Sequence, residues 1–421
     1  PALAIAGVLA LILALVLLLP ITLQLALSLL RVCARAITGA VAHIAAMELG
    51  AARSRAIGVA ATGAVAVFGA VAIQGAHADL LRGLQSAARD ENAFTDLWVS
   101  PPGAYNLLRT TAFSGEQQQA IAALPGVRAV RTYRGSLLDW GSRKVWIIAP
   151  PAQASPLLPP SQIVAGALPR ASARVRAGGW LVLSQAIAQE HHVHVGQRIE
   201  LPSPNPTTLR VAALSTNVGW APGAVIVSAE QYARSWGSDA PSAFNVVLAS
   251  NAHATHVEGE IRGLLGGASG LSVQSAAAHE SEQNGLSRQG LQRLTQIATL
   301  ILAVAVLAMA AAIASMLWQR RPRLARLKLE GFASGMLWRT VLLESVLLAA
   351  IGSAAGGVFG LIGQQLLDQA LSHVMNFPVE RSVVLLPALL SVAIVTAAAL
   401  AILAIAGFSA VRVPASAAMG E

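Results

Sequence analysis

The sequence predicts an α-helical membrane protein with five spans and a large α+β domain outside the bilayer. Mean hydropathy is +0.61 and only 12% of the 421 residues are charged, which is too apolar for a soluble chain of this length. Apolar runs of about 20 residues, the length that crosses a bilayer, recur five times. Between the second and third runs, residues 78–293 have the mixed polarity of a globular domain.

Apolar and polar segments alternate along the whole chain. The five predicted spans are residues 1–31, 54–77, 294–318, 341–368 and 383–409. The other predicted segments are an amphipathic cytoplasmic segment at 32–53, the outer domain at 78–293, a cytoplasmic helix at 319–340, an outer loop at 369–382 and a cytoplasmic tail at 410–421. Each crossing therefore reverses the side of the membrane that the next segment faces.

Basic residues predict which side that is. Segment 319–340 has six basic residues against one acidic residue, and Arg31, Arg35, Arg53 and Arg55 lie in or beside segment 32–53. The outer domain is nearly balanced, with 17 basic and 14 acidic residues. Because loops rich in Lys and Arg stay in the cytoplasm, we expect both basic segments and the C-terminus inside and the large domain outside.

The outer domain is predicted to be a mixed sheet with helices, carried on two helical stalks. The stalks are residues 78–92, continuing the second span, and a helix from about residue 280 that leads into the third. The predicted strands are 96–100, 127–133, 144–149, 180–183, 197–201, 208–214, 225–227 and 245–248, and the predicted helices are 115–124, 184–191, 229–235 and 255–265. The Pro-rich residues 149–162 predict a loop or a subdomain linker.

Two stretches carry a family resemblance. Residues 327–344, LKLEGFASGMLWRTVLLE, fit the pattern L-R-x-L-G-A-x-x-x-x-I-x-x-x-x-L-x-E without a gap, although Glu330 and Phe332 replace a usual Leu and Ala. Residues 178–202, GGWLVLSQAIAQEHHVHVGQRIELP, are similar to a strand, a helix and the turn v-G-d-x-i-x-l. With IAALPGVRAVRTY before and FSAVRVPASAAMGE at the end, the chain resembles the FtsX-like permease family, the MacB-type class of ABC transporter membrane subunits.

The resemblance implies that a short cytoplasmic helix at residues 323–334 binds in a groove of an ATPase subunit. The coupling residues would be Leu324, Arg326, Leu327, Lys328, Glu330, Gly331 and Phe332. Their helical spacing offers apolar anchors with a charged rim. The same basic stretch could instead only anchor the chain to anionic lipid headgroups.

The chain has no P-loop, because that motif needs Gly-Lys-Ser or Gly-Lys-Thr at its end. Lys144 is followed by Val and Lys328 by Leu, and these are the chain's two lysines. If the chain is such a permease, the resemblance implies that ATP and Mg²⁺ bind in a partner ATPase, present in two copies, and no cofactor is expected in this chain.

The fourth span has small residues at helical spacing and one acid. Gly352, Gly356 and Gly360 recur every four residues, which lets a neighbouring helix approach closely. Glu344 lies about one turn inside this span, where a charge is costly unless it is paired or reaches the interface. We expect snorkelling or pairing with Arg339 or Arg412 in preference to a proton relay.

The motif survey predicts neither an enzyme nor a metal site in this chain. His191, His192 and His194 are adjacent or two apart without a completing carboxylate or cysteine, so a polar surface turn is favoured over metal binding. HESEQ at 279–283 is not H-E-x-x-H, and no G-x-S-x-G elbow occurs. An intramembrane enzyme would need paired acidic, Ser/Lys or His/metal groups in the spans, and the sequence has none.

The sequence thus predicts a permease subunit in a bacterial plasma membrane. It would couple ATP hydrolysis by a separate ATPase to movement of the outer domain, for export, extraction of lipids or lipoproteins, or mechanotransmission. The alternative is a membrane-anchored sensor or scaffold that regulates cell-envelope enzymes without transport. Expected partners are the ATPase, membrane lipids, an outer substrate, and a second permease or an N-terminal half, since Pro1 and the extra first span resemble the second half of a duplicated permease. Nucleic acid is not expected, because the basic charge lies beside spans.

Overall fold

A computed structural model describes residues 53–103, 106, 108–329, 333–373, 375–382 and 385–412, together with helical residues 7, 9–18, 20–21, 24–25 and 28. The chain divides into two compact units. The membrane unit comprises residues 1–78, 292–369 and 381–421, and the head comprises residues 79–291 and 370–380.

The membrane unit is built from apolar helices. They are α1 (Leu9–Leu18), α2 (Arg53–Asn92), α8 (Ala276–Leu329), α9 (Ser334–His373) and α10 (Leu385–Arg412), of which α2, α8 and α9 extend into the head. Three described stretches are long and apolar enough to cross a membrane: Ala60–Asn92, Ala276–Ala312 and Gly335–His373. They overlap the predicted second and third spans and contain the fourth, and the total of five spans stays a prediction.

Side chains in this unit separate into a buried core and an apolar exterior. Val67, Met309, Leu348 and Val395 come from four different helices and pack into one cluster. On the opposite face of α8, Leu307 is 66% exposed, and other large apolar side chains near it are exposed as well. Apolar side chains on both faces of a helix are expected where lipid replaces water.

Among the residues that the structure describes, the head has ten strands and five α-helices that lie wholly within it. The strands are β1 (Leu97–Ser100), β2 (Val127–Trp140), β3 (Arg143–Ala149), β4 (Ile163–Ala165), β5 (Trp180–Ser184), β6 (Arg198–Leu201), β7 (Thr207–Ser215), β8 (Ala224–Ile226), β9 (Ala243–Leu248) and β10 (Ser272–Ser275). The helices are α3 (Gln117–Ala122), α4 (Leu168–Ala177), α5 (Gln185–Glu190), α6 (Ala229–Trp236) and α7 (Ala254–Leu265).

The ten strands form one mixed sheet that is ordered β10-β1-β9-β2-β3-β8-β5-β7-β4, with β6 beside β7. The pairs β3–β8 and β5–β7 are parallel, and the remaining pairs are antiparallel. The 14-residue β2 joins the two halves of the sheet, because its first half pairs with β9 and its second half with β3. The faces of the sheet carry three apolar clusters.

Each predicted strand and helix of the outer domain has a counterpart in the head. The predicted stalk helices are also present, as the end of α2 and the beginning of α8. Sequence reasoning missed β4, β10 and α4, since each is either very short or, in α4, rich in Arg rather than apolar residues. The Pro-rich segment is a loop and not a linker, because Leu157 and Leu158 are buried in the core of the head.

Candidate functional site

A buried ion pair lies where α2 ends and the sheet begins. The guanidinium of Arg109, in the loop after β1, pairs with the carboxylate of Glu91 near the end of α2. Its carbon atom lies 3.4 Å from the centre of the Trp98 ring, and Arg109 as a whole is 1% exposed. A buried cation needs such compensation from a counter-ion and an aromatic face, because desolvation alone would be prohibitive.

Burial shifts the pKa of Arg109 and of the neighbouring Tyr133. Desolvation lowers the pKa of Arg109, and the nearby Glu91 carboxylate acts in the opposite direction. The same burial raises the pKa of the Tyr133 phenol above its ordinary value, with a further contribution from Glu91. Tyr133 therefore keeps its proton throughout the physiological pH range and can serve as a hydrogen-bond donor.

The ion pair extends into a network that joins both stalk helices to the sheet. Gln283 of α8 donates a hydrogen bond of 2.8 Å to Glu91, and Asn92 donates one of 3.2 Å to Gln283. Trp98 of β1 donates through its indole nitrogen to Asn92 at 2.7 Å. We call Glu91, Asn92, Trp98, Arg109 and Gln283 the junction network.

The chain segment that follows α9 also makes contacts within the head. The Ser86 hydroxyl of α2 donates to the Glu380 carboxylate at 2.7 Å, and the Asn217 backbone N–H donates to the Asn376 carbonyl at 2.8 Å. Gly83 lies directly against the carbonyl oxygen of Pro378, so a side chain at position 83 would collide with it. The predicted outer loop is therefore partly docked on the head.

In the membrane unit, the glycines of α9 lie against α2. A β-carbon on Gly352 would sit 2.5 Å from the carbonyl oxygen of Ala60, and one on Gly356 would collide with the carbonyl of Ala64. One on Gly360 would lie 2.7 Å from the β-carbon of Val71. The two backbones thus approach as closely as glycine allows, which is the arrangement that small residues support in membrane helices.

The structure describes only some of the predicted coupling residues. Leu324, Arg326, Leu327 and Lys328 lie in the last turns of α8, whereas Glu330, Gly331 and Phe332 lie outside the described residues. Glu344 of α9 is 1% exposed and has an interaction partner, and its pairing with Arg339 or Arg412 stays a prediction.

The predicted surface histidines are exposed. His191, His192 and His194 all lie on the surface, and the ring of His191 lies 5.1 Å from that of Trp140. Within the described part of the chain, no three His, Cys, Asp or Glu side chains are grouped as metal ligands.

Sequence reasoning missed the junction network entirely. Its members lie at positions 91, 92, 98, 109 and 283, in no common motif, and only the fold brings them together. A single signal was available: Arg109 is the only charged residue between Asp96 and Glu116, which is unusual for an exposed loop.

Two protein-family models match the chain, and together they cover most of it. Residues 56–264 match the MacB-like periplasmic core domain, and residues 296–415 match the FtsX-like permease C-terminal family. No curated protein sequence matches the chain.

Two solved structures are similar to part of the chain. One is the periplasmic region of MacB from Actinobacillus actinomycetemcomitans, at 11% identity and a TM-score of 0.32, covering 45% of this chain and 92% of that one. The other is the extracellular domain of the noncanonic ABC-type transporter YknZ from Gram-positive bacteria, at 11% identity and a TM-score of 0.28, covering 43% and 99%.

The two family matches and the apolar helices define a membrane subunit of an ABC transporter, from a bacterial membrane. The chain belongs to the FtsX-like permease family and has a MacB-like periplasmic core domain as its head. Membership implies an ABC ATPase as partner and a membrane role for this subunit instead of a catalytic one.

Proposed function

We propose that this subunit converts ATP binding and hydrolysis in a separate ATPase into movement of its extracytoplasmic head. Two ATPase copies act on residues 319–340, the helices shift, and the head acts on a substrate outside the membrane or in its outer leaflet. The action is export, extraction of lipids or lipoproteins, or mechanical control of an outer partner. A second permease, or another half of the same one, would complete the assembly.

The junction network is the observation that carries this proposal. Movement of α2 or α8 reaches the sheet only if these helices are fixed to it. Glu91, Arg109 and Gln283 make charged or charge-assisted contacts in a buried site, which are stronger than neutral surface hydrogen bonds. The network therefore supports transmission of helix displacement to the head.

In this proposal, residues 323–334 form the surface that contacts the ATPase. Leu324, Leu327 and Gly331 recur at helical spacing and would provide the apolar contact. Arg326, Lys328, Glu330 and Phe332 would supply the rim of that surface. The competing role for the same stretch is a lipid anchor that depends on positive charge alone.

Co-purification of the ATPase distinguishes these roles. The test variant Leu327→Asp with Gly331→Arg destroys the apolar surface and leaves the net charge unchanged. The matched control, Arg320→Gln with Arg321→Gln, lowers the positive charge and keeps the apolar residues. Both are expressed as the full chain in its native host, extracted in detergent and assayed for bound ATPase and for ATP hydrolysis.

We expect the test variant to lose the ATPase while the control retains it, with both chains showing wild-type melting. Loss in the control but not in the test variant would contradict coupling through this surface. An absence of any ATPase with the wild-type chain would favour the sensor or scaffold function instead.

A further inference from the structure

Positive charge is concentrated in one part of the head. Residues 145–229 contain five arginines and two glutamates, and no lysine or aspartate, although the head as a whole is nearly balanced. One of the two glutamates, Glu190, already pairs with Arg143. The five arginines are Arg170, Arg174, Arg176, Arg198 and Arg210. This part of the head therefore has a net positive charge of its own.

Three of these arginines lie on one side of the sheet together with Trp180. Trp180 of β5 stands opposite Arg210 of β7, and Arg210 stands opposite Arg198 of β6. Residues that stand opposite each other project from the same face of a sheet, so the three side chains form a row across three strands. The guanidinium carbon of Arg174 lies 4.4 Å from the centre of the Trp180 ring, and that of Arg210 lies 5.8 Å from it. We call Arg174, Trp180, Arg198 and Arg210 the Arg–Trp patch.

The end of α4 brings Arg174 to this patch. Val175 of α4 packs with Val182 and Ala212, so the helix covers the part of the same face that adjoins Trp180 and Arg210. The helix ends at Gly178, where a φ of 84° lets the chain turn back into β5. Arg174 therefore comes to lie over a tryptophan only six positions further along the chain.

The charges of the Arg–Trp patch are not neutralised inside the head. Among the residues that the structure describes, no carboxylate lies within ion-pair distance of Arg174, Arg198 or Arg210. Glu200 of β6 is exposed on the same face, but it stands opposite Thr208. Like charges directly opposite one another across a sheet are destabilising. The facing pair of Arg198 and Arg210 is therefore a cost that an external anion would remove.

The chemistry of the patch favours carboxylates of a protein over a phosphate polymer. A guanidinium that lies over an aromatic ring still presents its N–H groups at its edges, where a carboxylate can accept two of them. Tryptophan and arginine are also enriched among the residues that dominate protein interfaces. A surface that held phosphate groups by charge alone would need no aromatic ring. Arg198 and Arg210 are exposed and Trp180 is half-buried, so a partner can reach all three.

We propose that the Arg–Trp patch binds an acidic segment of a partner protein that meets the head. Successive carboxylates of this segment pair with Arg198 and Arg210, and Trp180 holds Arg174 and Arg210 in place for the contact. The bound carboxylates remove the repulsion between the two facing arginines. This contact needs no ATPase, so its test is independent of the coupling proposed above.

The experiment measures peptide binding to the full chain in nanodiscs of phosphatidylcholine, which has no net charge. The probe is a fluorescently labelled twelve-residue peptide of alternating Glu and Gly, and its counterpart has Gln in place of Glu. Labelled inorganic polyphosphate represents an anionic polymer without carboxylates. Fluorescence anisotropy is recorded at low ionic strength, because salt screens contacts between exposed charges.

We expect the Glu peptide to bind saturably and the Gln peptide to bind far more weakly. Arg198→Gln with Arg210→Gln should reduce the affinity for the Glu peptide by about tenfold. The matched control, Arg128→Gln with Arg288→Gln, removes the same charge from two other exposed positions of the head and should leave the affinity unchanged.

Two further measurements separate recognition from charge and from folding. Arg198→Lys with Arg210→Lys keeps the charge but loses the bidentate geometry, and an intermediate loss of affinity is expected. The double Gln variant should melt no lower than the wild type, because it removes two facing like charges.

Three results would overturn the inference. The first is equal binding of the Glu and Gln peptides to the wild-type chain. The second is an equal loss of affinity in the Arg198 and Arg210 variant and in the control variant. The third is binding of polyphosphate without binding of the Glu peptide, which would instead identify the patch as a site for a phosphate polymer.

Discussion

At the scale of single residues, the head depends on one buried cation. Arg109 is shielded from water, and its positive charge is stabilised by the Glu91 carboxylate and the face of the Trp98 ring. Removing one partner of a buried pair leaves the other charge uncompensated, which costs far more than an exposed pair contributes. The same argument explains why Gln283 adds a further hydrogen bond to Glu91.

We therefore expect Glu91→Gln to lower the free energy of unfolding of the head by about 3–5 kcal/mol. The measurement is urea unfolding of the detergent-solubilised chain, followed by tryptophan fluorescence. Glu230→Gln is the matched control, because Glu230 pairs with Arg234 on the exposed surface of α6. Its effect should stay below about 1 kcal/mol, and similar losses in both variants would mean that the Arg109 pair has no special role.

At the scale of elements, two different interactions hold helices in place. In the head, the Arg109–Glu91 ion pair fixes the end of α2 beside the sheet, and the Gln283 amide of α8 hydrogen-bonds to Glu91. In the membrane unit, α9 packs on α2 by close backbone approach at Gly352, Gly356 and Gly360. Lipid offers no hydrophobic force between helices, so shape decides the second contact.

Gly356→Ile should therefore destabilise the membrane unit, because the new side chain collides with the Ala64 carbonyl. Overpacking of this kind costs about 1–3 kcal/mol, and we expect a lower melting temperature in detergent. Gly335→Ile is the control in the same helix, since nothing lies within 4 Å of a β-carbon at Gly335. Equal melting of the two variants would contradict the packing role of Gly356.

At the scale of the whole molecule, the positive-inside rule predicts an extracytoplasmic head and a cytoplasmic tail. The distribution of charge supports this topology, since segment 319–340 is strongly basic and the head is nearly balanced. An outer head also fits the MacB-like periplasmic core domain that it matches.

Cysteine labelling tests this topology. In a Cys33→Ser background, Ser142→Cys places a thiol on the exposed β2–β3 turn and Ser416→Cys places one in the tail. A membrane-impermeant maleimide should label position 142 in intact spheroplasts and position 416 only after permeabilisation. Labelling of position 416 in intact spheroplasts would reverse the predicted orientation.

The sequence by itself determined the features that depend on local pattern. Long apolar runs predicted the second, third and fourth spans, and short β-branched runs predicted strands such as β2 and β9, because periodicity and length report burial directly. The four-residue spacing of Gly352, Gly356 and Gly360 likewise indicated a close helix contact. Family motifs then assigned the class of protein.

Only the tertiary structure decided which distant residues meet. Glu91, Arg109 and Gln283 are separated by up to 192 positions, and no local pattern marks them as partners. Arg131 and Asn245 likewise become neighbours only through the pairing of β2 with β9. The physical reason is that charge pairing and cavities depend on long-range register, which the chain sets only when the whole sheet has formed.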